Sequence, residues 1–344
     1  MNKFYKNLKK TYVIAEIGVN HNNNIKIAKK LIDYAKIAGA DAVKFQTFSA
    51  ERLVLPGTRK VKYQKIDSKD KETHYQMIKK LELSLDHHKT LFKYCKKNKI
   101  EFISTPYDVQ SAKFLNKLGV KVFKTASADI IDFGLHNYLA SLNKPIVIST
   151  GMSTVNEINQ VLKIYKNKKK LGNVSLLHCV SNYPCSLKSI NLNSLYMLKK
   201  LYKCTVGFSD HTEGNISSCL SLAMGSQIIE KHFTLDKKMK GPDHKASCNP
   251  SELKKLIKDL RKTETILGKK IKKKQDEENE MSNISRKSLY YAKNLKKNSI
   301  IKDNHLKALR PGFGISPMEI KKIIGKKINR EIKINSQFKF KHLK

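Results

Sequence analysis

Eight short apolar runs end, one after another, on polar or charged residues: 12–16, 42–46, 102–105, 122–127, 146–150, 175–181, 206–211 and 227–232. Strands buried on both faces read as continuous apolar runs, and in a (β/α)8 barrel the chemistry gathers where those strands end. Helix-like sequence separates most of the runs; in 27–38, Ala, Leu and Ile recur at three- and four-residue spacing. The alternation predicts an α/β chain built as a TIM barrel, and so an enzyme.

The ends of the runs carry Glu16, Asn20 and His21, Lys44 and Gln46, Ser104 and Thr105, Lys124 and Ser127, Ser149 and Thr150, Asn182, Ser209 to His211, and Glu230 with His232. One rim holding two lysines and several hydroxyls suits a small substrate of several negative charges, of which phosphate is the obvious case. His211 and His232 end consecutive runs, which in a closed barrel makes them neighbours at roughly 5 Å. Beside Asp210 and Glu230, and near Gly241-Pro242-Asp243-His244, two imidazoles can share one divalent ion while leaving positions for water and substrate.

At 344 residues the chain exceeds a barrel, which takes about 250. The reading divides it into a barrel over 1–267, a charged linker over 268–282, and a small, mostly β unit over 283–344 with a turn at Arg310-Pro311-Gly312-Phe313-Gly314. A net charge of +40 would ordinarily suggest nucleic acid. Only six of the 69 basic residues are arginine, however, and the lysines are scattered over the whole length. Base-reading sites favour the bidentate guanidinium, so no nucleic-acid role is expected. Six cysteines without a CxxC pair read as small core residues in a reducing compartment. No apolar stretch approaches the ~20 residues of a membrane span, and the basic start runs directly into the first strand, so a cytoplasmic protein with no membrane partner is expected.

Ala15-Glu16-Ile17-Gly18-Val19-Asn20-His21, Lys44-Phe45-Gln46-Thr47, Ser104-Thr105-Pro106, Ser149-Thr150-Gly151-Met152, Gly207-Phe208-Ser209-Asp210-His211-Thr212, Glu230-Lys231-His232-Phe233 and Gly241-Pro242-Asp243-His244 together resemble the sialic acid synthase family. The resemblance runs from about residue 12 to 334, and Arg310-Pro311-Gly312 with Gly325-Lys326 looks like the antifreeze-like (SAF) domain that closes these synthases. It implies condensation of phosphoenolpyruvate with an N-acetylated mannosamine-type sugar, giving a nine-carbon 2-keto acid and phosphate by C–O cleavage. It further implies Glu16, His211 and His232 as catalytic residues, with His211 and His232 holding a divalent metal, manganese first, magnesium or cobalt otherwise. Lys44, Thr105, Lys124, Ser127, Asn182 and Ser209 match positions that hold phosphoenolpyruvate, and Asp243 also falls among the substrate-binding positions. Arg310 matches an arginine that reaches across a domain-swapped homodimer to the partner's sugar. Either the metal or Glu16 activates the water that adds to C2.

The sequence departs from the common family pattern at two places. Asp129 stands where many members have Glu, and Ser181-Asn182-Tyr183-Pro184 differs from the neuraminate-type synthases. Residues 241–247 and 286–289 look more like the branch making N,N'-diacetyllegionaminate than the N-acetylneuraminate branch, and the pseudaminate branch fits least. Two alternatives from other classes remain: a carbohydrate- or nucleic-acid-binding protein that keeps the scaffold with a dead site, against which the intact Glu16, Lys44, Lys124, His211 and His232 speak, and a metal-dependent hydrolase on the same barrel. The hydrolase usually needs a His-x-His pair at the first strand, which is absent here.

Overall fold

Seven of the eight apolar runs share one pattern: an apolar residue sits two positions before a polar or thiol side chain, and a strand sends such pairs to the same face. The computed structural model, which describes residues 10–61, 64–65 and 71–344, turns this pattern into layers. Its strands are β1 (Tyr12–Gly18), β2 (Ala42–Thr47), β3 (Glu101–Pro106), β4 (Phe123–Thr125), β5 (Ile146–Ser149), β6 (Val174–His178), β7 (Thr205–Asp210) and β8 (Ile228–His232), and they close in sequence order into one parallel barrel. The pair β1 and β8 closes the ring, with Glu16 opposite His232.

Inside the ring, Ile14, Ala42, Ile103, Val122, Val147, Leu177 and Ile228 pack with Tyr12 as an apolar floor. Two residues further along the chain from these come Glu16, Lys44, Thr105, Lys124, Ser149, Cys179 (just past the end of β6) and Glu230, which line a cavity above that floor. On β7 the floor position is Gly207. A Cβ there would lie 2.5 Å from both the Ile228 carbonyl oxygen and a Leu177 methyl, so only glycine lets the floor close. The alternate residues, among them Val13, Ala15, Val43, Phe45, Phe123, Ile148, Phe208 and Ile229, pack outward against the helices.

The helices of the barrel unit are α1 (Ile25–Ala38), α2 (Ala50–Leu53), α3 (His74–Leu81), α4 (Leu85–Lys97), α5 (Val109–Leu118), α6 (Phe133–Ser141), α7 (Val155–Asn167), α8 (Asn193–Tyr202), α9 (Ile216–Ala223) and α10 (Pro250–Leu267). Their ends follow local chemistry. The Asn24 side chain accepts from the Lys26 and Ile27 amides to start α1, and Gly39, in the left-handed region at φ 92°, ends it. Pro250 and the reciprocal Asn249–Glu252 cap start α10.

Two strands stop earlier than the apolar runs suggest. β4 ends at Thr125 because Ser127–Ile131 already forms a 3-10 turn, and β6 ends at His178, ahead of 179–181. The chain divides into two compact units, Met1–Gly268 and Lys269–Lys344. In the second, the expected charged linker is partly ordered: a 3-10 turn at Asp276–Glu278 leads into α11 (Asn279–Ser285). Acidic residues at that helix start oppose its positive N-terminal end, which is where they stabilise a helix. The unit also holds the antiparallel pair β9 (Ser288–Tyr291) and β10 (Leu306–Leu309), around a core that includes Leu289, Tyr291, Ile301 and Phe338. Among the described residues, no helix is long and apolar enough to cross a membrane.

Candidate active site

The inward-facing ends of the strands meet in a cavity of about 380 Å³. Strand alternation decides which of the candidate residues reach it. Ser209, His211, Glu230 and His232 point in, while Asp210 and Lys231 between them point out and pair with each other at 3.0 Å. Asp210 is occupied there by Thr212 and Ser218 as well, so its carboxylate is turned away from the cavity. Asn20 and His21 also lie off the cavity. Asn20 donates to the Phe233 carbonyl and to Ser247, and buried His21 accepts from the Asn23 amide.

Two buried lysines and two buried carboxylates form the centre. Lys44 stands 2.9 Å from Glu16 and 3.7 Å from Glu230, and Lys124 stands 3.7 Å from the same Glu230 oxygen. Lys44 donates to Thr105 (3.2 Å), Lys124 to Ser149 and to the Thr125 carbonyl, Gln46 to Glu16 (3.1 Å), and Ser209 to Glu230 (3.0 Å). Burial raises the Glu16 carboxyl to about 7; Lys44 works against this, and the negative Glu230 adds to it. Burial also opposes ionisation of Glu230, but Lys124 and Lys44 outweigh it and hold this carboxyl below its usual range. Burial disfavours both ammonium groups; the two carboxylates overcome it at Lys44 and raise that pKa, whereas Lys124 stays lowered. Lys44 thus attracts two carboxylates, and Glu16 is the one that takes up a proton near neutrality.

Beside this centre the His211 and His232 rings lie 5.5 Å apart, with Tyr183 against both at 4.2 and 5.3 Å. Nδ1 of His211 donates to the Val180 carbonyl at 2.7 Å, which leaves Nε2 as the lone-pair nitrogen, 3.2 Å from the Ser209 hydroxyl. Burial lowers His211 to about 4 and takes His232 well below its ordinary value, so both rings are neutral at physiological pH. Neutral imidazole is the form that binds metal. Nδ1 of His232 is buried and has no hydrogen-bond partner, and the nearest carboxylate, Asp243, is 4.0 Å away. Burial raises Asp243 to about 6. Among the described residues no three His, Cys, Asp or Glu side chains stand close enough to cage an ion. A divalent cation would therefore use His211 and His232 and leave the rest of its shell to water and substrate, and the donor set fits such an open site.

Of the substrate-binding candidates, Lys44, Thr105, Lys124, Ser127, Ser209 and Asp243 line the cavity, and Asn182 does not. The Asn182 amide is exposed and folds back to the Pro184 carbonyl at 2.9 Å, so its neighbours Ser181 and Tyr183 face the site instead. Arg310 belongs to the second unit, exposed just after β10. Asp129 is off the cavity, although Ala128 lines it. Burial and then Asp132 raise the Asp129 carboxyl to about 7. Cys179, expected in the core, lines the cavity with its sulfur 3.2 Å from Ser127. In the sequence Glu230 reads as a metal neighbour, and its spacing, two residues before His232, places it on the inner face. The sequence gives no sign of the apolar and aromatic part of the lining, which includes Val19, Phe48, Leu53, Met77, Ile78 and Tyr107.

Comparison with known proteins agrees with this architecture. The NeuB family pattern matches residues 31–272 and that of the SAF domain matches 286–344. The chain is similar to the N,N'-diacetyllegionaminic acid synthase of Campylobacter jejuni, at 44% identity over 93% of this chain and 96% of that one. It is also similar to the synthase of the same name from Legionella pneumophila, at 40% identity over 96% and 94%. The crystal structure of the N-acetylneuraminic acid (sialic acid) synthetase of Leptospira borgpetersenii superposes with a TM-score of 0.71 at 32% identity, covering 80% of this chain and 93% of that one. A closed eight-stranded barrel carrying this set of inward side chains, followed by a SAF domain, is thus what the sequence of a NeuB family member folds into, and the chain belongs to that family.

Proposed function

We propose that the chain condenses phosphoenolpyruvate with an N-acetylated mannosamine-type sugar to give a nine-carbon 2-keto sugar acid of the N,N'-diacetyllegionaminate type, with release of phosphate. The carrying observation is the buried bed of Lys44 and Lys124 with Thr105, Ser127, Ser149 and Ser209, next to two neutral imidazoles in one cavity. Trianionic phosphoenolpyruvate needs cations plus neutral donors, and a buried site strengthens each of those bonds.

In this reading Lys44 and Lys124 hold the phosphate and carboxylate, and the surrounding hydroxyls orient them. His211 and His232 would hold a divalent cation, manganese first, whose chemistry is Lewis acidity toward the sugar aldehyde. C3 of phosphoenolpyruvate forms the new bond to the aldehyde carbon as the aldehyde π bond breaks, its oxygen taking a proton to become a hydroxyl, and C2 becomes electron-poor. Water adds there, Glu16 takes its first proton, and the tetrahedral C2 centre collapses to the ketone, its hydroxyl proton leaving with phosphate as the C–O bond breaks. The test is phosphate release with phosphoenolpyruvate and a panel of N-acetylated sugars, using an ¹⁸O label between carbon and phosphorus. The label is expected to leave in the phosphate; label retained in the sugar product overturns the mechanism.

Glu16 must be ionised to accept that proton. With its carboxyl raised to about 7, kcat/KM is expected to climb as pH rises through about 7 and to level off above it. An acidic limb centred below pH 5 would remove Glu16 from the role of base.

The homodimer belongs to the same proposal, with Arg310 contacting the sugar bound by the partner copy; the exposure of Arg310 supports it. Inactive Arg310→Ala chains mixed with inactive Glu16→Ala chains are expected to regain activity as heterodimers, and verified heterodimers without activity defeat the swap. The six free cysteines support a reducing, cytoplasmic setting.

A further inference from the structure

The polar residues just after β1 and the last residue of Gly241-Pro242-Asp243-His244 stay off the cavity, and they bond to each other. His244 is fully buried, with Nε2 3.2 Å from the Asn22 amide oxygen and Nδ1 2.6 Å from the Thr234 hydroxyl. The Asn22 amide nitrogen donates to the Lys240 carbonyl at 2.9 Å, so its oxygen faces the ring and Nε2 carries the proton. Thr234 then donates to Nδ1, which lies nearer to it than the Asp236 carbonyl at 3.2 Å. Burial lowers His244 to about 4 and keeps the ring neutral, with the one donor and one acceptor that this arrangement uses. Gly241 makes room for the ring: a Cβ there would lie 2.6 Å from its Cδ2.

Between these anchors stand Pro242 and Asp243, which do line the cavity. The Asp243 carboxyl is 4.0 Å from Nδ1 of His232. Burial opposes its charge, so the carboxylate gains by turning to water unless its backbone is fixed. Its own carbonyl accepts from Ser247 at 2.6 Å, and Ser247 in turn accepts from Asn20 at 2.8 Å. We infer that His244 is a positioning residue, which through Asn22 and Thr234 ties the loop after β8 to the loop after β1 and so holds Asp243 against the acceptor sugar. The inference rests on the proposed condensation, in which a carboxylate repels trianionic phosphoenolpyruvate and faces the neutral sugar instead. It assigns work to a side chain that touches neither substrate. A misplacement of about 1 Å caused by a change away from the chemistry can cost on the order of 10²-fold.

The test is a double-mutant cycle on the full chain. His244→Ala is expected to lower kcat/KM for the sugar about 10–100-fold while KM for phosphoenolpyruvate stays within about twofold, because Lys44 and Lys124 are placed by strands and not by this loop. In a chain already carrying Asp243→Ala, the same change is expected to cost less than about twofold more, because the group that His244 positions is gone. Asn22→Ala, at a half-buried loop residue, makes the same cycle if His244→Ala fails to fold. Losses that multiply in the double variant, or a His244→Ala enzyme as active as wild type, overturn the inference while leaving the condensation in place. A wild-type enzyme that releases no phosphate defeats the condensation itself and the inference with it.

Discussion

Replacing either His211 or His232 with alanine is expected to lower kcat/KM by about 10³ or more, and excess chelator is expected to abolish turnover until Mn²⁺, Co²⁺ or Mg²⁺ is restored. The size follows from what an aldehyde needs. Lewis-acid polarisation is worth several kcal/mol, and each 1.36 kcal/mol is about tenfold in rate. The barrel itself is expected to survive. Both rings sit above the apolar floor rather than in it, and His211→Ala forfeits the hydrogen bond to the Val180 carbonyl and the 3.2 Å contact with the Ser209 hydroxyl, each worth about 1 kcal/mol. Thermal melts of the variants should therefore stay near wild type. Equilibrium dialysis should find one Mn²⁺ per wild-type chain and none in the double variant. Full activity in excess chelator, or unchanged metal binding by the double variant, would remove the imidazoles from this role.

What the sequence discloses about this site depends on whether a residue is placed by strand alternation or by a loop. Glu16, Lys44, Thr105, Lys124, Ser209 and His232 lie on strands, where a period of two fixes the face, and all of them line the cavity. The same period sends Asp210 outward to Lys231, although position along the chain alone would group it with His211. Asn182 lies beyond the end of β6, in a loop where no period operates, and its amide turns back to the chain. The short β4 is a related case. The run of apolar and small residues continues past Thr125, but Ala126 begins the Ser127–Ile131 turn, and Ser127 reaches the cavity from there rather than from a strand. The apolar part of the lining was least legible. Met77 and Ile78 read as the buried face of an amphipathic helix, and nothing in such a pattern distinguishes a side chain facing a core from one facing a cavity.

Lys124→Ala is expected to reduce kcat/KM for phosphoenolpyruvate by roughly 10²–10³, against less than about twofold for Lys163→Ala on the exposed face of α7. Lys124 is buried within reach of Ser149 and Glu230. A charge-assisted bond is worth roughly 1.5–3 kcal/mol, and low surrounding polarity pushes this one toward or past the upper end. The change acts twice. It removes a cation from the anion bed, and it leaves Glu230 with Lys44 as its one remaining close cation of the two. A carboxylate so exposed repels an incoming trianion, and removing one partner of a buried pair typically costs about 3–5 kcal/mol of stability. Lys124→Ala should accordingly melt well below wild type, unlike the histidine variants. Lys124→Ala paired with Glu230→Gln separates the two effects. The neutral amide should recover stability, because no unpaired charge is left, while the phosphoenolpyruvate KM should remain high, because the cation is still missing. If the double variant instead recovers both, Lys124 serves only to neutralise Glu230 and does not bind the substrate. If the single variant matches Lys163→Ala, the buried lysines are part of the general basic composition of the chain and the anion bed is not a binding site.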